Sequence, residues 1–134
     1  MNEAIEFHDA TVREVREESG RCIIEMCDVT THRSEGTPGV DAGVCFIQDF
    51  HVVVESARVK SVLPEMPCEL DGGDLTVGSQ SFSNVVPSAL KEEKSTMLRL
   101  WVAWDRSALE VEGRSVAIVP TSEARFLQPF PPRT

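Results

Sequence analysis

The sequence predicts an antiparallel all-β domain, a sandwich or partly open barrel of about seven to nine strands. Three observations carry that expectation. Val and Ile number 22 against 17 for Leu and Ala, and β-branched side chains suit a pleated, half-buried surface. Period-two alternation recurs, while apolar spacing of helical length is scarce. Gly and Pro, eight of each, punctuate the chain at short intervals. A chain of 134 residues suffices for one hydrophobic core, so a single domain over residues 1–134 is expected.

The elements follow in order. Thr11-Val12-Arg13-Glu14-Val15-Arg16 has strand composition, Glu17-Glu18-Ser19-Gly20 is a turn, and Arg21 to Val29 returns as a second strand. Cys22, Ile24 and Met26 share one face of that strand, and Ile23, Cys27 and Val29 the other. Apolar residues on both faces predict a central strand, covered on both sides or by a second subunit. Residues 30–43 carry three glycines, one proline and little apolar content, and read as a long mobile loop. Residues 44–63 form a β region with a bend expected near Asp49-Phe50-His51.

Pro64-Glu65-Met66-Pro67 interrupts the sheet, because proline cannot donate to a ladder. Asp71-Gly72-Gly73-Asp74 reads as a turn, Leu75-Thr76-Val77 as a short strand, and residues 82–86 as an edge strand. Residues 88–94 read as a polar loop or as one short helix, which would give an α+β variant. Thr96, Leu98, Leu100, Val102 and Trp104 line one face of a strand, and Met97, Arg99, Trp101, Ala103 and Asp105 the other. A turn at Asp105-Arg106-Ser107 leads to Leu109, Val111 and a return over residues 116–119, with a bulge permitted at Gly113. The proline-rich tail, residues 126–134, is expected to be extended, with Phe126 and Phe130 docking on the body.

Composition narrows the function. Thirteen basic against 22 acidic side chains leave a net charge of −9. That balance opposes sequence-independent nucleic-acid binding, which needs cations against phosphate, and docking on an anionic membrane. The acidic opening, Met1-Asn2-Glu3-Ala4-Ile5-Glu6, is unlike a secretory signal, and no run reaches the roughly 18 apolar residues of a membrane span. The expected compartment is the cytoplasm, where the four cysteines are reduced.

The familiar catalytic motifs are missing: no G-x-G-x-x-G, P-loop, G-x-S-x-G, H-E-x-x-H or C-x-x-C. Cys22, Cys27, Cys45 and Cys68, spaced by 5, 18 and 23 residues, fit no zinc knuckle and read as small apolar fillers. No catalytic residue, metal or other cofactor is expected. The candidate binding residues are His8, Asp9, Arg99, Trp101, Glu110 and Glu112. His8 and Asp9 would meet only across a turn; otherwise Asp9 caps an Asx turn and His8 packs beside Phe7. Trp101 and Trp104 should face opposite ways, one of them into the core, with Arg99 on the Trp101 face. Glu110 and Glu112 share a strand face, with Glu14 a further member of an acidic surface suited to a basic partner. His32, in the loop, and His51, at the bend, read as isolated.

The segment Phe7-His8-Asp9-Ala10-Thr11-Val12, followed by an alternating hairpin, resembles the start of several families of small bacterial all-β proteins. Some of these are similar to immunity proteins of polymorphic toxin systems. The resemblance covers about 20 residues. It implies a non-enzymatic protein whose partner is another protein, and it transfers no catalytic residue. The sequence thus favours a protein-interaction module, with no nucleic-acid or membrane partner. A self-associating structural β-protein, such as a homodimer, and a small metal-dependent enzyme using His8, Asp9 and His51 are the alternatives.

Overall fold

The computed structural model describes residues 1–105 and 107–131. Among them every regular element is a strand, and none is a helix. The strands are β1 (Asn2–Glu6), β2 (Thr11–Glu18), β3 (Arg21–Ser34), β4 (Gly43–Glu55), β5 (Arg58–Val59), β6 (Cys68–Val77) and β7 (Gln80–Ser83). They continue with β8 (Val85–Pro87), β9 (Lys91–Glu92), β10 (Thr96–Val102), β11 (Ala108–Gly113), β12 (Ser115–Pro120) and β13 (Arg125–Phe130). The count of 13 exceeds the expected strands partly because β5, β8 and β9 are fragments of two or three residues. The pairings are antiparallel, and the sheet is not closed into a barrel. No helix among the described residues is long and apolar enough to cross a membrane.

The main path runs β5-β11-β10-β6-β2-β3-β4-β12-β9. Its spine is the β3/β4 hairpin, in register from Cys22↔Val54 to Ser34↔Gly43. The first part of β3 pairs with β2 and the rest with β1, while β4 pairs with β13 along its first part and with β12 along the rest. The bend expected near Asp49-Phe50-His51 is therefore corrected: β4 passes unbroken through these residues, and the region divides instead after Glu55, before β5. The irregularity sits on β3, between Met26 and Val29, where Asp28 has φ 55° and donates its N–H to Asp49 Oδ1. Asp49 marks a change of neighbour, its carbonyl accepting from the Thr121 N–H and its own N–H donating to Ser122 Oγ.

The first hairpin matches the sequence reading. Ser19 and Gly20, at φ 52° and 77°, form the tight turn between β2 and β3 that positive φ at both positions permits. Other expectations change. The loop of residues 30–43 shrinks to residues 35–42, because Thr30 to Ser34 are paired on both sides, to β1 and β4. Ser34 Oγ donates to the Ala42 carbonyl and accepts from the Gly36 N–H, tying the loop's ends. Asp71-Gly72-Gly73-Asp74 is strand, inside β6. A Cβ at Gly73 would lie 2.7 Å from Leu100 Cδ2, 2.9 Å from the Arg99 carbonyl and 3.0 Å from Phe7 Cδ2. The glycine makes room for two core side chains instead of turning the chain. Residues 88–94 hold a turn and β9, with no helix.

The core takes Ile5 from β1, Phe7 from the turn after it, Ile24 and Met26 from β3, and Phe50, Val52 and Val54 from β4. Leu70 and Leu75 of β6, Leu98 and Leu100 of β10, and Leu109 and Val111 of β11 complete it. Each such side chain contributes about 1.5–3 kcal/mol on burial. Both halves of the path thus turn one face to a shared core. The tail is extended as expected: β13 lies along β4, Phe126 meets Phe46 edge-on at 6.1 Å, and Phe130 meets His32 edge-on at 5.1 Å. Residues 132–134, and Arg106 of the expected 105–107 turn, lie outside the described residues.

Candidate functional site

Side chains alternate along β10: Thr96, Leu98, Leu100 and Val102 are buried, while Met97, Arg99 and Trp101 point away from the core. The same alternation runs through β6 and β11, so an outward face spans β7-β6-β10-β11-β5. Register sets its rows. Trp101 stands between Gly72 and Ala108, Arg99 between Asp74 and Glu110, and Met97 between Thr76 and Glu112. Arg58 and Glu112 are opposite each other on β5 and β11. With Gly and Ala on either side, Trp101 has no bulky cross-strand neighbour, and the residue is 36% exposed.

The structure brings Arg99, Trp101, Glu110 and Glu112 onto this one face. It corrects the acidic surface, however. Arg99 Nη2 lies 3.2 Å from Glu110 Oε2, and Lys60 Nζ lies 3.6 Å from Glu112 Oε2, so both carboxylates have cations. Glu14 is no part of it: it pairs with Glu25, and β6 and β10 separate its strand from β11. Such exposed ion pairs contribute little to stability, about 0–1 kcal/mol. What they supply is a charge pattern of alternating sign around an aromatic ring.

His8 and Asp9 occupy the β1–β2 turn, closed by the Ala10 N–H donating to the Phe7 carbonyl, with Asp9 at φ 68°. The turn brings His8 Nδ1 to 3.3 Å from Asp9 Oδ2. The packing of His8 with Phe7 is corrected, since Phe7 is fully buried and His8 is exposed. The turn is pinned through backbone: His8 N–H donates to Asn84 Oδ1 and Asp9 N–H to the Leu70 carbonyl. Leu70 pairs with Val102. The turn therefore sits at the end of the sheet that carries Trp101. Trp104 is there too, at φ 76° and 93% exposed, so the expectation that one tryptophan fills the core is overturned. The chain leaves the strand after Val102, which ends the alternation before Trp104.

His51 does not join His8 and Asp9. It stands opposite Glu25, with Nε2 3.4 Å from Glu25 Oε1. Among the described residues no three His, Cys, Asp or Glu side chains are grouped as a metal site. The metal-enzyme alternative thus loses its third ligand.

The sequence reading missed one cluster. His32 is buried on β3, its Nδ1 3.5 Å from Cys45 Sγ and its Nε2 3.9 Å from Glu6 Oε1. This resembles a nucleophile, base and orienting acid in outline, but the chemistry is opposed by its surroundings. Burial, then the Glu6 carboxylate, push the Cys45 thiol up, so the thiolate is disfavoured. Burial and Glu17 push Cys22 up to about 11, and burial and Asp105 raise Cys68. All four cysteines are free; Cys22 and Cys45 are buried, and Cys27 and Cys68 half-buried. Recognising Thr30 to Ser34 as strand would have revealed the cluster, because His32 and Cys45 are register partners. No family model, no curated protein and no solved structure matches the chain.

Proposed function

We propose that the chain is a non-enzymatic interaction module that binds a protein partner through the outward face of β7-β6-β10-β11-β5. The observation that carries this reading is Trp101, uncovered between Gly72 and Ala108 and next to the Arg99 row. Trp and Arg are the side chains whose loss costs most at protein interfaces. The ion-paired Glu110 and Glu112 supply a polar rim able to select a partner by complementary charge. The likeness of residues 7–12 to immunity-type proteins supports a toxin as the partner, encoded by a neighbouring gene.

Self-association is the less favoured form. It drew on apolar residues on both faces of β3, and part of that second face is covered from within the chain. Phe130 lies against His32, and Ile23 stands opposite Arg16, which is tied to Glu18 at 3.5 Å and Glu25 at 3.7 Å. Hydrogen exchange of the chain, alone and with the neighbouring gene's product, tests the proposal. Protection of β10 and β11 that disappears in Trp101→Ala is the expected result. Absence of a complex, or protection confined to β12 and β13, would sink it. Light scattering separates the self-associating form by its doubled mass.

A further inference from the structure

We propose that the pocket where β5 meets the end of β11 binds a small oxyanion, a phosphate or carboxylate group, between Arg58 and Arg114. The pocket has a volume of about 430 Å3, and Ser56, Thr76 and Ser95 line it beside the two arginines. It lies at the opposite end of the outward face from Trp101, and it does not depend on the protein-partner reading.

Charge distribution is the first argument. The chain carries −9 overall, and Arg16, Arg21, Arg33, Arg99 and Arg125 each stand within 4.0 Å of a carboxylate. Arg13, Arg58 and Arg114 have no such partner among the described residues, although acidic side chains are the commoner kind, and of these three Arg58 and Arg114 line one pocket. The backbone of each is held: Arg58 is in register with Glu112, and the Arg114 N–H donates to the Glu55 carbonyl at 3.0 Å. The one carboxylate lining the pocket, Glu112, is engaged by Lys60. Both arginines line the same pocket, so an anion there would meet two positive charges.

The second argument is donor chemistry. Guanidinium presents a planar fork of N–H groups that fits two oxygens of a carboxylate or phosphate. The Ser56 and Ser95 hydroxyls in the lining add rotatable donors, while Thr76 Oγ1 lies 3.4 Å from Ser81 Oγ.

NMR titration of the full chain tests this, using inorganic phosphate, citrate and a chloride control at equal ionic strength. Expected are saturable amide shifts near residues 56–58, 95–96 and 113–114 with phosphate or citrate, the stronger arm identifying the oxyanion. Arg58→Gln and Arg114→Gln should each weaken binding about tenfold. Arg58→Lys, which keeps charge and loses the fork, should fall between; Trp101→Ala should bind as the unaltered chain does. Shifts that never saturate, that chloride reproduces, or that survive both glutamine substitutions in a chain with a native spectrum would overturn the proposal.

Discussion

Two outward faces of this molecule are treated in opposite ways. The face over β10 and β11 is bare, and its residues are those that water tolerates: Arg99, Glu110, Glu112 and a single tryptophan. The face over the second part of β3 and the first part of β4 carries the polar Ser34 and His32 beside the thiol of Cys45, yet all three are buried. What differs is the chain laid on top. Phe130 meets His32 edge-on, and Gly39 of the 35–42 loop approaches both His32 and Val85, where a Cβ would come within 3.7 Å. Burial here is decided by what the chain places above a face, and polar groups below such a cover need partners. Ser34 has them; His32 Nε2 and Thr31 Oγ1 make no hydrogen bond among the described residues.

The contrast breaks most sharply on β10. Leu98→Ala, on the core side, should cost about 3 kcal/mol in urea denaturation. Arg99→Ala, one residue on, should change stability by less than about 0.5 kcal/mol. Comparable losses at both positions would mean that the outward face is covered after all.

Next in size is an alkaline effect. Cys22 has its thiol raised in the fold from an ordinary 9.0 to about 11. The folded state holds that proton more tightly than the unfolded chain does. Its contribution is therefore complete below pH 9 and is lost as pH rises through 11, by about 2 kcal/mol at pH 11. Chemical denaturation from pH 8 to 11 measures it, and Cys22→Ala should flatten the curve. A curve equally steep in that variant would assign the loss to other groups.

Phe130→Ala removes part of the cover and should cost about 1 kcal/mol. It should also speed labelling of Cys45 by a thiol reagent while Cys22 stays slow; equal rates before and after would show that Phe130 is not the cover. In the native chain Cys27, half-buried, should label faster than Cys22. The smallest effect is expected at Trp101→Ala, within about 0.5 kcal/mol of the unaltered chain.

These contrasts also show what was legible in the sequence. Strict alternation in β10 and β11 encodes a one-sided environment locally, and the hairpin was readable for that reason. So was the Ser19-Gly20 turn, which needs two positive φ angles. Thr30 to Ser34 were not, because Thr-Thr-His-Arg-Ser has no apolar signal; it is strand because β1 and β4 supply its hydrogen bonds from far along the chain. Asp71 to Asp74 carry the composition of a turn, and tertiary packing overrode it where Gly73 admits Phe7 and Leu100. In the candidate site, period alone put Arg99 with Trp101 and Glu110 with Glu112; that the two pairs share one face came from the β10/β11 register. The cations that neutralise the two glutamates were only half visible: Arg99 is a hairpin neighbour, whereas Lys60 reaches Glu112 from beyond β5.

One property of β4 reaches past the folded state. Its first part is bordered by β3 on one side and, on the other, only by β13, the last strand described. During synthesis β3 and β4 can zip together well before β13 exists. In that interval the N–H and C=O groups along Gly43 to Ile47 form an open template for any extended chain, including another nascent copy. β13 then acts as a late closing seal, and its Pro129, which has no N–H to offer, helps make the final edge a poor template in turn.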